Sequence, residues 1–110
     1  IAPDIDLGPR DSVFVPFFGI QTNTITSVSR LARLSGAEVC LMTTRLNHDR
    51  KGYTCHISAP LPNFPSDDVE KDTASLNQYI EALVRETPAE YYWVHKRFKH
   101  RPPGEPSLYD

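Results

Sequence analysis

The amino-acid sequence predicts an α/β fold built on a mixed sheet with flanking helices. Short β-branched and aromatic runs alternate along the chain with two amphipathic helical stripes. A length of 110 residues allows one small domain. A helical stripe also separates the first two strand-like runs, which favours a βαβ unit with a right-handed crossover.

The N-terminal half contains one predicted strand and one predicted helix. The run Ser12–Val15 is typical of a strand, and Pro16 is expected to end it because proline cannot donate a ladder hydrogen bond. Gly19 permits a change of direction. Thr22–Thr24 offers N-cap side chains for a helix whose apolar residues recur every three or four positions up to Gly36, a typical C-cap residue.

The C-terminal half predicts a hairpin followed by a second helix. Val39–Thr43 is a nearly continuous apolar run, typical of a buried strand. Residues 47–52 form a polar turn, and residues 53–58 alternate as a second strand. A helical stripe then covers Asp72–Glu86, and Pro88 suits the first position of a short last helix.

The overall composition excludes some classes of function. The net charge of −2 argues against non-specific binding of nucleic acid by the whole chain. Cys40 and Cys55 lie among apolar residues and are predicted to be buried, reduced thiols, with a disulfide between neighbouring strands as the alternative. Neither belongs to a C-x-x-C pair, so the sequence indicates no metal site.

A basic and aromatic run near the C-terminus is the most unusual feature of the sequence. Four of the twelve Lys and Arg residues fall within residues 96–101 of this slightly acidic chain. Such a cluster needs an anionic partner or an internal counter-charge. The cations either pair with the acids of Asp67–Asp72 or bind a phosphate or anionic headgroup, since guanidinium and ammonium groups suit phosphate oxygens.

Two acids near the start form a second candidate group. Asp4 and Asp6 alternate along an extended segment and would share one face, where paired carboxylates can divide acid and base roles. The alternative is a solvated loop whose Asp side chains bond their own backbone. His95 and His100 flank the basic run, and the nearby cations favour their neutral form.

Two long segments carry a resemblance to a known family. Residues 90–104 read E-Y-Y-W-V-H-K-R-F-K-H-R-P-P-G, and the family motif reads approximately Q-Y-x-W-x-H-R-R-F-K-T-R-P-x-G. Residues 2–18 read A-P-D-I-D-L-G-P-R-D-S-V-F-V-P-F-F and match A-P-D-x-D-x-G-P-x-x-S-V-F-V-P-F-F. The sequence therefore resembles, over essentially its whole length, the late acyltransferases of bacterial lipid A biosynthesis, the lauroyl and myristoyl transferase family.

The resemblance implies a membrane-anchored enzyme with a glycerolipid-acyltransferase-like fold. Such an enzyme moves a fatty acyl chain from acyl carrier protein to a hydroxyl of an acylated lipid A precursor, at the cytoplasmic face of the inner membrane. In this family a His-x4-Asp/Glu motif supplies the general base. Ile1 does not look like a natural start, so residues 1–110 are expected to be the C-terminal portion of one acyltransferase domain. The anchor and the His motif are expected upstream, and the chain alone is expected to be inactive.

The resemblance also suggests site residues and partners. Asp4 matches an acidic position of the family and is expected to support catalysis. Substrate contacts are expected from six further residues, Asp6, Arg10, His95, Arg97, Lys99 and Arg101. The expected partners are acyl carrier protein, the lipid A precursor and the inner-membrane surface, with no nucleic acid, no cofactor and no metal.

Two alternatives to this interpretation remain at the level of sequence. One is a non-catalytic module that binds anionic lipid or nucleic acid through the basic cluster at residues 96–101. The other is a structural half-domain whose basic tail pairs only internally.

Overall fold

A computed structural model describes all 110 residues, which form two β-hairpins, two α-helices and one 3₁₀ helix. The elements in chain order are β1 (Ser12–Phe17), β2 (Ile20–Ile25), α1 (Ser27–Ser35), β3 (Met42–Leu46), β4 (Tyr53–Ile57), α2 (Val69–Glu86) and the 3₁₀ helix Pro88–Glu90. The small α/β fold predicted from the sequence is confirmed at this level.

The predicted mixed sheet with a βαβ crossover is not found. β1 pairs with β2 and β3 pairs with β4, both antiparallel, and the two hairpins do not join. The physical reason lies at Phe18 and Gly19, whose φ angles of 50° and 74° form a tight two-residue turn of the kind that returns a strand on itself. The chain therefore reverses after β1 instead of crossing through a helix.

The prediction that Thr22–Thr24 caps a helix is wrong, because these residues form the middle of β2. Their side chains are buried and bond inside the fold, where β-branched residues pack well in a strand. The predicted end of β1 at Pro16 is also wrong. Pro16 lies opposite Gln21 in a two-stranded hairpin. Because no third strand lies beside β1, the missing N–H of Pro16 does not remove a hydrogen bond to another strand.

The C-terminal ends of the two helices lie where the sequence predicts them, whereas their N-terminal ends do not. Gly36 caps α1 with φ of 70° and donates its N–H to the carbonyl of Ala32. The helix α2 ends at Glu86 as predicted but begins at Val69, where the Asp68 side chain accepts the N–H of Lys71. Pro88 begins a single 3₁₀ turn, and no helix follows it.

The predicted hairpin of the C-terminal half is confirmed, with β3 beginning at Met42 and not at Val39. Cys40 and Cys55 are free thiols as predicted, but the prediction that they are buried is wrong. Both thiols are exposed, and so is every residue of β4, the strand that contains Cys55.

The interior is small and unusually polar. Ten of the 17 buried residues are polar or charged, and most of these lie in β2, in α2 or at Asp6 and Arg97. The buried apolar residues are Val15, Phe17, Val28, Ala32, Leu61, Leu76 and Val84. Hydrogen bonds between side chains distant in sequence therefore hold much of this fold in place, and they centre on the N-terminal loop.

Candidate functional site

The N-terminal loop and the C-terminal basic run meet in space. The Tyr91 hydroxyl donates to Oδ2 of Asp4 at 2.9 Å, across 87 positions of sequence. The Asp6 carboxylate accepts the backbone N–H of His100 at 3.1 Å. The two segments that carry the family resemblance therefore form one structural unit.

Asp6 is the buried centre of this unit. Its carboxylate accepts hydrogen bonds from the Gly8 N–H at 3.0 Å and from Asn23 Nδ2 at 3.1 Å, and lies 2.8 Å from His100 Nδ1. Burial by itself raises the pKa of Asp6, but the hydrogen bonds from Gly8, His100 and Asn23 outweigh burial and hold the pKa below its ordinary value. Asp6 is thus an ionised structural anchor whose oxygens are occupied by the protein.

His95 is held by the same loop. Its Nε2 accepts the backbone N–H of Asp6 at 3.0 Å, so the ring is in the tautomer that carries its proton on Nδ1. Nε2 of His95 is therefore engaged in positioning the loop.

Arg97 is almost completely buried and bonds only to the protein. Its guanidinium donates to the Asn23 carbonyl at 2.6 Å and to Thr24 Oγ1 at 2.9 Å, and lies over the Phe17 ring at 5.3 Å. Burial lowers the pKa of Arg97, while the negative charge of Asp4 and other neighbours opposes that change. Arg97 acts as an internal counter-charge to the acidic loop.

The remaining cations divide into bonded and free groups. Arg101 donates to the Gln21 carbonyl at 2.8 Å and to Glu105 at 3.2 Å, and only 12% of its side chain is exposed. Lys96 and Lys99 are exposed, and the Lys96 ammonium lies 5.6 Å from the centre of the Tyr109 ring. Arg10 is also exposed, beside Asp11.

The interpretation that the basic cluster pairs with Asp67–Asp72 is wrong. Asp67 lies 3.8 Å from Arg33, and Asp72 accepts hydrogen bonds from Ser29 Oγ and from the Ser66 N–H. Asp67 and Asp72 contact side chains of α1, whereas the residues of the basic run form their hydrogen bonds with β2 and the N-terminal loop. Internal pairing therefore occurs, but with partners that charge patterning did not indicate.

A cleft lies beside Asp4, between α2 and β3. Its volume is about 200 Å³, and its walls combine apolar with polar side chains: Met42, Ile80, Leu83, Val84 and Tyr91, together with Asp4, Thr43, Thr44, Arg45, Thr87 and Glu90. Burial and the negative charge of Asp4 raise the pKa of Tyr91, so the phenol keeps its proton and remains a donor to Asp4. Oδ2 of Asp4 is thereby occupied, while Oδ1 makes no hydrogen bond within the chain.

The predicted pair of acids therefore separates into two environments. Asp4 is partly exposed at the cleft, whereas the side chain of Asp6 has no exposed surface. Sequence reasoning missed Asn23 and Tyr91, which hold these two carboxylates. The one available signal for Asn23 was an amide between two β-branched residues, a pattern that also fits a helix cap.

One histidine within the chain has an acid at the family's His-x4-Asp/Glu spacing, namely His100 with Glu105. The structure does not pair them. His100 Nδ1 faces Asp6, and the Glu105 carboxylate binds Arg101. This pair therefore lacks the geometry in which the acid orients the histidine.

No cluster of three or more His, Cys, Asp or Glu side chains is arranged to hold a metal ion. No helix has the length and apolar character needed to cross a bilayer.

A partly solvated carboxylate beside a cleft with both apolar and polar walls defines a site that can hold a molecule with apolar and polar groups. The family model for bacterial lipid A biosynthesis acyltransferases matches residues 1–100. The chain belongs to that family.

Individual relatives agree with this assignment. The chain is 44% identical to the lipid A biosynthesis lauroyltransferase of Escherichia coli (strain K12), over 98% of the chain and 36% of the relative. It is 38% identical to the palmitoleoyltransferase of the same organism, over 98% of the chain and 35% of the relative. A lipid A biosynthesis acyltransferase of Haemophilus influenzae is 39% identical, over 99% and 36% respectively. The chain thus spans about a third of the length of these relatives.

Proposed function

We propose that the protein to which this chain belongs transfers a fatty acyl chain from acyl carrier protein to a hydroxyl of an acylated lipid A precursor. Membership of the lipid A acyltransferase family supports the reaction class. The observation that carries the proposal to this structure is the position of Asp4, a family-motif acid, at a cleft that is partly lined by apolar side chains.

The chemistry assigned to Asp4 is the positioning of the acceptor hydroxyl. Tyr91 fixes the carboxylate through Oδ2, which leaves Oδ1 to accept a hydrogen bond from an incoming hydroxyl. A hydroxyl held in this way presents its oxygen to a thioester carbonyl in a defined orientation, and orientation is a large part of catalytic rate enhancement. The apolar side chains of the cleft would contact the neighbouring methylene groups.

The general base is assigned to a His-x4-Asp/Glu motif outside residues 1–110. His95 and His100 are unsuitable because their bonded nitrogens hold the N-terminal loop and neither ring lines the cleft. Asp4 is therefore a supporting residue of a site completed by other parts of the protein.

The proposed location is the cytoplasmic face of the inner membrane, where acyl carrier protein is available. Lys96 and Lys99 are the cations of the basic cluster that remain exposed to contact anionic headgroups. Arg97 and Arg101 are internal. A module that binds lipid or nucleic acid through the whole cluster, the alternative interpretation, is accordingly less well supported than acyl transfer.

The test is an acyl-transfer assay on the complete protein. Acyl carrier proteins charged with chains of different lengths are incubated with a defined lipid A precursor, and the product is analysed by mass spectrometry. The expected product has the mass of the precursor plus one acyl group. The absence of transfer from every donor by folded, membrane-inserted protein would contradict the proposal.

A further inference from the structure

A polar hollow lies next to the Asp4 cleft, between the turn of the β3–β4 hairpin and the segment that follows α2. Its volume is about 830 Å³, and of its ten wall residues only Leu46 is apolar. The hollow and the cleft share Arg45, Thr87 and Glu90 as wall residues. The two spaces are therefore adjacent, and one molecule can extend from the cleft into the hollow.

The hollow combines hydrogen-bond donors and acceptors that the protein leaves free. The rings of His48 and His56 form no hydrogen bond within the chain. Asp49 uses Oδ1 to accept the Lys51 N–H at 2.8 Å, and Glu90 uses Oε1 to accept the Leu46 N–H at 2.7 Å. One oxygen of each carboxylate thus remains available. Because a hydroxyl both donates and accepts, such a mixture of groups suits the hydroxyls of a saccharide.

Arg50 is the free cation of the hollow. Its guanidinium forms no hydrogen bond or ion pair within the chain, whereas Arg45 is paired with Glu86 of α2. The backbone φ of Arg50 is 58°, a left-handed conformation that glycine adopts with less strain. The turn therefore carries a strained residue whose side chain adds no bond to the fold. A guanidinium in this position can present two parallel N–H groups to the oxygens of a phosphate.

The charges of the hollow argue against a polyanion as the ligand. Two arginines, Arg45 and Arg50, face two acids, Asp49 and Glu90, and the charge of Arg45 is already balanced by Glu86. A chain of phosphates would meet carboxylates beside each guanidinium. A single phosphate on an otherwise neutral, hydroxylated molecule would meet one free cation and several uncharged or half-occupied polar groups.

We propose that this hollow binds the phosphorylated saccharide of the acceptor lipid, with Arg50 on a phosphate and with His48 and His56 on saccharide hydroxyls. The inference rests on the proposed function, which supplies an acceptor that has a polar head as well as acyl chains. An acyl hydroxyl at Asp4 and the head in the adjacent hollow place one amphiphile along both spaces. Arg50 is then a residue that determines specificity for the acceptor and takes no part in the chemical step.

Steady-state kinetics of the complete protein test the proposal, with the acceptor concentration varied at saturating acyl donor. Arg50→Gln should raise KM for the acceptor about tenfold and leave kcat within about twofold, since the lost contact is far from the reacting atoms. Arg50→Lys keeps the charge but not the planar fork and should give an intermediate KM. Lys51→Gln is the matched control, because Lys51 is an exposed cation of the same turn that does not line the hollow. Its kinetics should equal those of the wild type.

An acceptor that lacks phosphate on its saccharide tests the contact itself. Its KM with the wild type should be about tenfold higher than that of the phosphorylated acceptor. Arg50→Gln should then add no further loss, because both changes remove the same interaction. Losses that multiply would overturn the proposal. Competition by inorganic phosphate as strong as competition by the phosphorylated saccharide without acyl chains would assign the hollow to a free anion and would also overturn it.

Arg50→Gly separates binding from a structural role. Glycine adopts a φ of 58° more readily than arginine, so the thermal stability of the variant should not fall. Its KM for the acceptor should nevertheless rise as much as that of Arg50→Gln. A variant that is less stable but has a wild-type KM would show that Arg50 serves the fold alone.

The remaining outcomes separate this proposal from the proposed function. An unchanged acceptor KM in active Arg50→Gln would overturn the hollow and leave acyl transfer intact. A raised KM for the acyl carrier protein in its place would assign Arg50 to the donor, with the same consequence. If the wild type forms no product, the proposed function fails, and calorimetric binding of the phosphorylated saccharide without acyl chains decides the hollow. Binding lost in Arg50→Gln would support it, and equal binding would overturn it.

Discussion

The Tyr91 hydroxyl and the Asp4 carboxylate form a 2.9 Å hydrogen bond at the edge of the cleft between α2 and β3. This bond fixes the orientation of the only carboxylate in the N-terminal loop that is both partly solvated and next to that cleft. It also links the two segments that resemble the family motifs. The first prediction tests this relationship.

In the complete protein, Asp4→Asn and Asp4→Ala should lower acyl transfer by about a hundredfold, because the acceptor hydroxyl loses its positioning oxygen. Tyr91→Phe should lower the rate of acyl transfer about tenfold, since the Asp4 carboxylate remains but is free to rotate. Initial rates with acyl carrier protein and a lipid A precursor measure both effects. Asp11→Ala, in the same loop but exposed, is the control and should keep its activity. Wild-type turnover by Asp4→Ala would remove Asp4 from the site.

Asp6→Asn should destabilise the fold by about 2–4 kcal/mol, because each carboxylate oxygen accepts an N–H and an amide has only one acceptor oxygen. The amide nitrogen would face either the His100 N–H or the donors from Gly8 and Asn23. Urea unfolding of the 110-residue chain measures this difference. Asp4→Asn is the comparison and should change the free energy of unfolding far less. Equal effects of the two substitutions would contradict the buried network.

The contribution of Asp6 to stability should disappear in acid. Its pKa in the folded state lies below the unfolded value of 3.8, so unfolded chains take up the proton first as the pH falls. The stabilisation is complete above that unfolded value and is lost as the pH drops through the lower folded pKa. The difference in free energy of unfolding between wild type and Asp6→Asn should therefore be constant near neutrality and shrink below about pH 4. A difference that grows in acid would show the opposite shift.

Arg97→Gln should destabilise the chain by about 2–4 kcal/mol, because it removes a buried cation that bonds Asn23 and Thr24. Thermal or urea unfolding measures the loss. Lys99→Gln, two positions away and exposed, is the matched control and should change stability by less than about 0.5 kcal/mol. A small effect at Arg97 would mean that its hydrogen bonds do not form.

Lys96→Gln combined with Lys99→Gln should weaken binding of the complete protein to anionic vesicles, by about 1 kcal/mol for each charge removed. Added salt should reduce wild-type binding in the same way, since it screens exposed charges. Vesicle sedimentation at several salt concentrations checks both points, with neutral vesicles as the reference. Binding that is insensitive to salt and to both substitutions would leave these lysines without a role at the membrane.

Much of the secondary structure was accessible from local patterns. The C-cap at Gly36, the end of α2 at Glu86 and the β3–β4 hairpin follow from glycine conformation, helical spacing and strand alternation. The start of α1 was not accessible, because Thr22–Thr24 has the composition of a helix cap. Its place in β2 depends on bonds to Asp6 and Arg97, and no local pattern encodes those bonds.

The candidate site was predictable only through the family motifs. They indicated Asp4, but charge alone suggested that all the cations of residues 96–101 are available to a ligand. In the structure, the guanidinium groups of Arg97 and Arg101 donate hydrogen bonds to backbone carbonyls of β2. Whether a cationic side chain is buried or exposed depends on how its neighbours in space are packed. A short stretch of sequence does not contain that information.

Residues 91–101 form neither helix nor strand, so hydrogen bonds to backbone and side-chain atoms of the first 25 residues determine their position. The two ends of the chain must therefore become ordered together. A frameshift or premature stop codon after Glu90 would remove the residues that position Asp4. Its effect on Asp4 would equal that of a mutation in the Asp4 codon, although the polypeptide up to Glu90 would be translated intact.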